Sequence, residues 1–276
     1  MVSFDCFRCP NCRAKMRITE DGKSVICLGD NKVHCYDFSK SGYVNFAPPS
    51  QSGSGDSKEA VRSRTEFLES DGYLRVCEEI ISLVNKYCHG APVIDAGCGE
   101  GYYTNKIAKV YGGDVIGFDL SKFGADNGAK KARREGIKNS LFVASSVFGL
   151  PIEDGVADGV VNIFAPCVED EYKRVLKDGG VLIIAGAGEE HLIGLKQAIY
   201  EETYKNTERE DLPKTLRLIE EKVVEYDLSI TGNSMIRALF SMTPYYYRTS
   251  EADMRKLDSL EALTTKIQVK IKVYQK

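Results

Sequence analysis

The stretch VIDAGCGEGYYT, residues 93–104, decides the fold of this chain. An apolar run ends in an acidic residue, three glycines follow at alternate positions, and a helical pattern comes next. In a parallel α/β sheet, such a strand, turn and helix form one wall of the crevice in which nucleotide-like cofactors bind. Glycines in the turn let the backbone approach a ligand that a Cβ atom would exclude. The stretch therefore predicts a doubly wound α/β fold with a cofactor site at the turn.

The spacing of Gly97, Gly99 and Gly101 indicates which cofactor the turn accepts. A dinucleotide fingerprint reads G-x-G-x-x-G and places a pyrophosphate on the helix N-terminus. Here the order is G-x-G-x-G, Glu100 lies inside the turn, and Asp95 comes just before it. Two carboxylates suit a cationic cofactor without a phosphate, so the turn favours S-adenosylmethionine over a nicotinamide dinucleotide.

Short apolar runs alternate with helical patterns along most of the chain, which predicts a mostly parallel seven-stranded sheet covered on both faces. The predicted strands are 93–95, 115–119, 141–144, 159–164, 181–185, 223–230 and 266–274. The predicted helices are 59–69, 74–88, 102–111, 121–135, 168–176, 189–205 and 233–241. The last strand alternates apolar and polar residues strictly, which is typical of an antiparallel strand with one wet face near the sheet edge.

The ends of the predicted strands supply the candidate site residues. Asp119 ends the second strand, 20 residues after Gly99, where a carboxylate can accept both ribose hydroxyls. Residues 144–146 end the third strand, at the place for adenine contacts, and residues 162–167 end the fourth, facing the methyl acceptor. Two simpler roles stay open, because Asp95 could cap the following turn and Asp119 could cap the helix that begins near residue 121.

Five of the nine cysteines lie in residues 1–46. Cys9 and Cys12 form a C-x-x-C pair, whose two thiolates can share one tetrahedral metal ion. Cys27, His34 and Cys35 follow and can complete the site, and the spacing leaves the choice between the last two open. The alternative is a set of free buried thiols. In a chain without an export signal, clustered cysteines favour a metal, so this region is predicted to be a small zinc ribbon.

Composition indicates how the chain divides into domains and where the protein is located. The 276 residues are 43% hydrophobic, enough for a full core, and residues 47–58 have the Pro, Ser and Gly content of a linker. The predicted domains are therefore a zinc-binding domain at 1–46, the linker, and a catalytic domain at 59–276. No apolar run approaches the ~20 residues of a membrane span, and the N-terminus lacks the pattern of a signal peptide, which predicts a cytoplasmic protein without a membrane partner.

The net charge of −3 means that the field of the whole protein does not attract nucleic acid. Residues 1–46 carry seven Lys/Arg against five Asp/Glu, a net charge of only +2. Binding of RNA must therefore depend on local patches rather than on the overall charge.

Taken together, these motifs resemble one family, the RlmA-type methyltransferases that act on guanine N1 in 23S ribosomal RNA. The resemblance runs through nearly the whole chain, and its most specific parts are GYVN at 42–45 and APC at 165–167. It also includes the C-x-x-C pair, the R-x-x-F-L-x-x-x-x-Y segment from Arg64 to Tyr73, the glycine turn, and the motifs around His191 and residues 242–244.

The resemblance implies a role for several residues. Zinc would be bound by Cys9, Cys12, Cys27 and His34. The family keeps the third cysteine and the histidine close together, whereas here six residues separate Cys27 from His34, so Cys35 stays an alternative fourth ligand. The cofactor would be lined by Tyr73, Gly101, Tyr102 and His191 together with Asp119. The family pattern further implies a homodimer that binds an RNA stem-loop with its zinc modules.

The predicted function is methyl transfer from S-adenosylmethionine to N1 of a guanine in a 23S rRNA stem-loop. A small-molecule methyltransferase would share the core motifs but would rarely carry a zinc ribbon. A non-catalytic zinc and RNA-binding protein is a third possibility, against which the intact glycine turn and Asp119 argue. Asn162, Cys167 and Asp170 lie on the acceptor side by strand order, and the sequence identifies none of them as a general base.

Overall fold

An eight-stranded sheet organises the chain in a computed structural model, which describes residues 2–29, 32–51, 53, 55–207 and 209–276. The strands of this sheet are β4 (Val44–Asn45), β5 (Val93–Ala96), β6 (Val115–Asp119), β7 (Ser140–Ala144), β8 (Ala157–Ile163), β9 (Leu176–Ala187), β10 (Arg217–Thr231) and β11 (Ala262–Gln275). Their order across the sheet is β10-β11-β9-β8-β5-β6-β7-β4. Strands β4 to β9 pair in parallel, and β10 and β11 pair antiparallel at one edge. The predicted mostly parallel α/β sheet is confirmed.

Helices connect and cover the strands. They are α1 (Lys58–Leu68), α2 (Leu74–Tyr87), α3 (Tyr102–Ala108), α4 (Lys122–Arg134), α5 (Glu169–Val175), α6 (Ile193–Ile199), α7 (Asn233–Ser241) and α8 (Glu251–Arg255). Ser121 caps α4, because its hydroxyl accepts a hydrogen bond from the Gly124 N–H at 3.2 Å. Asp119 is therefore not the N-cap of that helix. No helix among the described residues is both long and apolar enough to cross a bilayer.

Alternation along the strands divides the core into two faces, as the pleat of a strand requires. One face packs against α2, α3, α6 and α7, and its strand residues include Val93, Val115, Val161 and Ile183. The other face packs against α5 and the N-terminal region, and its strand residues include Ile94, Ile116, Val160 and Leu182. Each fully buried Phe or Leu in these layers contributes roughly 1.5–3 kcal/mol.

The N-terminal region forms a small antiparallel sheet and also joins the main one. Its three strands are β1 (Met16–Ile18), β2 (Ser24–Cys27) and β3 (Cys35–Asp37), in the order β1-β2-β3. Phe4, Phe7 and Phe46 pack into the second core layer, where the Phe7 ring lies 6.4 Å from that of Phe118. The short strand β4 pairs with β7 and adds an eighth strand to the seven that the sequence predicts. The predicted boundary after residue 46 stays a prediction.

One predicted helix is wrong in extent. The pattern predicts a helix over 189–205, but α6 spans only Ile193–Ile199, and Tyr200 is already extended with φ −107° and ψ 141°. Lys196 explains the end of the helix, because its buried ammonium group donates to the Tyr204 carbonyl at 3.1 Å and to Asn206 Oδ1 at 2.6 Å. These bonds hold residues 204 and 206 against α6.

The glycine turn before α3 depends on close packing at Gly101. This residue has φ +83°, and a Cβ atom on it would lie 2.5 Å from Cε1 of Phe142. Both the backbone conformation and the space therefore require glycine.

We expect Gly101→Ala to lower the free energy of unfolding by roughly 2–4 kcal/mol. This is the sum of the cost of a left-handed backbone conformation at alanine and the cost of the clash between its Cβ atom and Phe142. Gly136→Ala is the matched control, because Gly136 also has a positive φ, +70°, but no atom within 4 Å of its added Cβ. That control should lose only about 1 kcal/mol. Urea denaturation of both variants measures the difference, and equal losses would show that the contact with Phe142 does not matter.

Candidate active site

A cavity of about 870 Å³ opens beyond the carboxyl ends of the parallel strands. This is where open α/β sheets place their ligands. Six of the eight predicted cofactor residues line it, namely Tyr73, Asp95, Gly97, Gly99, Asp119 and His191. Gly101 and Tyr102 lie behind the turn instead. Gly101 packs on Phe142, and the Tyr102 side chain is 2% exposed, so a cofactor contact at either residue stays a prediction.

The turn after β5 lies directly against the loop after β8. Gly97 has φ +84°, and a Cβ atom on it would lie 2.5 Å from Cβ of Ala165. The N–H groups of Gly97 and Cys98 both donate to the Phe118 carbonyl, at 2.8 and 3.0 Å, which ties the turn to the end of β6. The turn after β5, the end of β6 and the loop after β8 therefore meet at one point of the cavity.

Asp119 is held by backbone hydrogen bonds on both of its oxygens. Oδ2 accepts the N–H of Gly99 at 3.0 Å, and Oδ1 accepts the N–H of Ser121 at 2.7 Å. Burial raises the pKa of this carboxyl group, while the two backbone bonds lower it. Because each carboxylate oxygen can accept more than one hydrogen bond, the group retains acceptor capacity for a ligand such as a diol.

Asp95 is a buried carboxylate with one neutral partner. It is 1% exposed, and the Thr104 hydroxyl donates to its Oδ2 at 2.6 Å. Burial raises the pKa of Asp95 to about 7; the Thr104 bond opposes this shift, and the nearby charges of Glu100 and Asp119 add to it. A cation in the cavity would stabilise the ionised form, since an opposite charge compensates the lost solvation.

Arg64 is a site residue that pattern and spacing did not identify. It reaches from α1 to the turn, where its guanidinium lies 2.5 Å from Asp56 Oδ2 and 3.7 Å from Glu100 Oε2. Burial raises the pKa of Glu100, and the charge of Arg64 opposes the shift. The contact between Arg64 and Glu100 joins residues far apart in the chain, so spacing along the sequence does not predict it. The sequence drew attention to Arg64 only because it begins the segment that ends at Tyr73.

Tyr73 and His191 form a buried pair. The Tyr73 hydroxyl lies 3.0 Å from His191 Nε2, and the Gln268 N–H donates to His191 Nδ1 at 3.2 Å. Because Nδ1 accepts a bond, this network assigns the imidazole proton to Nε2. Burial, assisted by the charge of Lys196, lowers the pKa of His191 to about 4, so the ring is neutral at pH 7. Tyr73 accepts the Nε2 proton and can donate its own hydrogen to a ligand.

The three residues that strand order predicts on the side of the methyl acceptor, Asn162, Cys167 and Asp170, do not line the cavity. Asn162 is fully buried and donates to the Pro166 carbonyl at 2.9 Å, so it supports the loop from behind. Cys167 is half-buried, and burial raises the pKa of its thiol to about 11. Asp170 lies in α5. Arg209, which the sequence did not single out, does line the cavity and donates to the Ala165 carbonyl at 2.9 Å.

The N-terminal cysteines and His34 come together as a possible metal site. One ligand atom from each of Cys9, Cys12, Cys27 and His34 lies within 4.8 Å of the others. The Cys12 and Cys27 sulfurs are 3.7 Å apart, and His34 Nδ1 is 3.6 and 3.4 Å from the Cys9 and Cys27 sulfurs. Zn–S and Zn–N bonds of ~2.3 and ~2.0–2.1 Å give a tetrahedron with edges of roughly 3.5–3.8 Å. These three inter-ligand distances are therefore close to the edges of a tetrahedral zinc site.

Cys35 faces the other way. It is exposed, and its sulfur lies 4.0 Å from Asp37 Oδ1. Pairing of β2 with β3 sets this direction, because successive side chains of a strand point to opposite sides.

Comparison with known proteins identifies the class of this site. Residues 89–234 match the family model described as "Methyltransferase domain". A Bacillus subtilis (strain 168) protein named "Putative 23S rRNA (guanine-N(1)-)-methyltransferase YxjB" is 32% identical over 219 residues, 75% of this chain and 74% of that protein. The chain belongs to this methyltransferase family. The finding confirms the resemblance, the class I fold and S-adenosylmethionine as the methyl donor of the class.

Two further relatives show how far the similarity extends. The Streptomyces fradiae "23S rRNA (guanine(748)-N(1))-methyltransferase" is 28% identical over 196 residues, 70% of this chain and 67% of that protein. The Bacillus pumilus (strain SAFR-032) "Demethylmenaquinone methyltransferase" is 30% identical over 120 residues, but these are only 40% of this chain and 51% of that protein. The enzymes named for rRNA therefore match this chain over a much longer stretch than the quinone enzyme.

We expect Asp95→Asn to stabilise the ligand-free protein at pH 8 but not at pH 4. With its pKa raised from 3.8 to about 7, Asp95 keeps its proton in the folded state at pH values where the unfolded chain has lost it. The folded state then binds more protons, so stability falls as the pH rises from about 4 to 7. The amide lacks this titration and should gain about 2–4 kcal/mol above pH 7.

Denaturant unfolding at a series of pH values measures the effect. Asp178→Asn is the control, since the Asp178 side chain is fully exposed. If wild type and Asp95→Asn have the same pH dependence of stability, the carboxyl group of Asp95 does not titrate as described.

Proposed function

We propose that this protein transfers a methyl group from S-adenosylmethionine to N1 of a guanine in a 23S rRNA stem-loop. The observation that carries the proposal is the match to proteins named for this reaction, over 75% of this chain for the Bacillus subtilis protein and 70% for the Streptomyces fradiae protein. The proposal is also supported by the presence of both the cavity and the group of three cysteines and His34. A small-molecule methyltransferase has no evident use for that cysteine and histidine group.

The cavity fits the proposed cofactor. Ligand pockets commonly measure roughly 300–1,000 Å³, so 870 Å³ has room for S-adenosylmethionine and for part of an acceptor. We place the ribose on Asp119, whose two oxygens are oriented by the backbone. Asp95 and Glu100 supply negative charge for the ammonium and sulfonium groups, and Tyr73 can donate a hydrogen bond through its hydroxyl. His191, Gly97 and Gly99 complete the proposed contacts.

When bound, S-adenosylmethionine supplies an electrophilic methyl group on a positively charged sulfur. The residues of this chain bind and orient, which is where most of the acceleration in such a displacement arises. Asp119 holds the ribose of the cofactor, and the loop at Ala165 excludes water beside the turn. Arg209 holds that loop through the Ala165 carbonyl.

Incubation of the protein with unmodified 23S rRNA and methyl-labelled S-adenosylmethionine tests the proposal. We expect label in the RNA as N1-methylguanine at one position, found by nuclease mapping. Asp119→Ala should weaken cofactor binding at least tenfold by calorimetry, a loss of about 1.4 kcal/mol or more. Asp178→Asn should leave binding and transfer unchanged.

Two results would contradict the proposal. Label that appears in a small metabolite and not in RNA indicates the small-molecule activity. Absence of both cofactor binding and transfer indicates a non-catalytic protein that binds zinc and RNA.

We also propose that Cys9, Cys12, Cys27 and His34 bind one zinc ion, and that this module contacts the RNA stem-loop. The inter-ligand distances support the metal site. The homodimer implied by the resemblance and a cytoplasmic location stay predictions.

We expect His34→Ala to reduce the zinc content of the purified protein from about one ion per chain to a small fraction, because three cysteines leave the tetrahedron open. Cys35→Ser is the matched control and should retain the ion. Atomic absorption on both variants gives the answer. Loss of zinc from Cys35→Ser with retention in His34→Ala would reverse the assignment of the fourth ligand.

A further inference from the structure

Three exposed aromatic rings surround the cavity. Phe148, Phe164 and Tyr247 all line it, and their exposed fractions are 69%, 45% and 76%. Large apolar side chains that remain exposed around one concave site indicate an interaction surface. Proteins that recognise unpaired nucleotides stack the bases on such rings. The cavity therefore offers stacking surfaces at its wall and at its rim.

Phe164 keeps its position at a cost in backbone energy. It follows β8 directly and has φ +52°, a left-handed conformation that favours glycine over a residue with a side chain. Its N–H donates to the Ala185 carbonyl at 3.0 Å, which fixes this conformation at the end of the strand. Non-glycine residues in such conformations cluster at functional sites, where the strain accompanies a required side-chain position.

The ring of Phe164 is supported on one face. The His191 ring stacks on it with centroids 5.6 Å apart and an angle of 24° between the planes. The Tyr73 ring meets it edge-on at 6.0 Å and 86°. His191 is itself fixed through both ring nitrogens, by Tyr73 and by the Gln268 N–H. The exposed part of Phe164 thus belongs to a rigid surface that faces the cavity.

This surface adjoins the cofactor turn. Ala165, the next residue, lies so close to Gly97 that a Cβ atom on the glycine would be 2.5 Å from its methyl group. Arg209 donates to the Ala165 carbonyl and so fixes the loop at this distance. A flat group resting on Phe164 would consequently lie beside the turn.

We propose that Phe164 is the surface on which the target guanine stacks after it leaves the RNA stack, and that Phe148 and Tyr247 receive neighbouring bases. The inference rests on the proposed function and adds the residue that positions the acceptor. A guanine lying flat on the ring keeps N1 in the plane of the base, so the atom can meet the methyl group in line. Enzymes that modify a base commonly extrude it and hold it between apolar or aromatic side chains.

The decisive variants are Phe164→Leu, Phe164→Tyr and Phe164→Gly. Leucine retains apolar volume without a ring, tyrosine retains the ring, and glycine removes the side chain while relieving the left-handed strain. We expect leucine and glycine to lower kcat/KM for 23S rRNA by about 5- to 150-fold, the usual weight of one base stacked on an aromatic ring. Tyrosine should stay within about threefold of wild type.

Two measurements separate this role from a structural one. Calorimetry should show S-adenosylmethionine affinity within about threefold of wild type in all three variants. The Tm of Phe164→Gly should stay close to that of wild type, because relief of the left-handed strain offsets the lost contacts with His191 and Tyr73. Phe148→Ala and Tyr247→Ala should raise KM for the RNA and leave kcat unchanged, since these rings lie at the rim.

Several outcomes overturn the inference. Full activity in Phe164→Leu shows that stacking on this ring is not used. A parallel loss of cofactor affinity in the leucine and glycine variants makes Phe164 a cofactor contact. A Tm of Phe164→Gly far below that of wild type makes it a structural residue. In each of these cases wild type still methylates RNA, so the proposed function stands. If wild type transfers no methyl group to RNA, the proposed function and the inference both fail.

Discussion

The structure at the glycine turn depends on two buried carboxylates, Asp95 and Glu100, a half-buried one, Asp119, and the guanidinium of Arg64 beside them. Asp95 and Glu100 are 1% and 4% exposed, Asp119 lies close by, and Arg64 is the cation that reaches the turn. Loss of solvation disfavours the ionised form of each carboxyl group and raises its pKa, and nearby negative charges add to the shift. A cationic ligand would relieve this cost, so in the proposed function part of the stability that the ligand-free fold loses here would be recovered when the sulfonium cofactor binds.

The same charges connect the N-terminal third of the chain to the sheet. Asp56 precedes α1 and pairs with Arg64, and its backbone carbonyl accepts the Ser121 hydroxyl at 2.8 Å. Gly55 lies so close to Ser121 that an added Cβ would be 2.6 Å from its backbone nitrogen. The end of the predicted linker is thus packed against the start of α4. Changes in this segment should therefore alter the glycine turn, which Arg64 contacts through Glu100.

Periodicity was sufficient to predict the fold because each strand of the parallel sheet is a short apolar run between helical patterns. It was insufficient for β4, whose two residues are too few to form a pattern, and for α6, where Lys196 ends a helix through contacts with residues that follow it. The choice between His34 and Cys35 depended on the pairing of β2 with β3, which spacing does not contain. Arg64 and Arg209 act through non-local contacts. Arg64 begins the segment that ends at Tyr73, but the spacing of that segment implies no chemical role for it, and Arg209 lies in no motif identified from the sequence.

His191 shows why a histidine in a methyltransferase cavity need not be an acid or a base. Its Nδ1 accepts the Gln268 N–H and its Nε2 lies against the Tyr73 hydroxyl, so neither nitrogen is free to take a proton from an acceptor. Protonation would also break the Gln268 bond, and burial lowers the pKa to about 4. A neutral ring fixed at both nitrogens is instead a rigid support for Phe164. In the proposed reaction, removal of the guanine N1 proton would then depend on another group or on solvent, and the buried pair would support the ring on which the acceptor is proposed to stack.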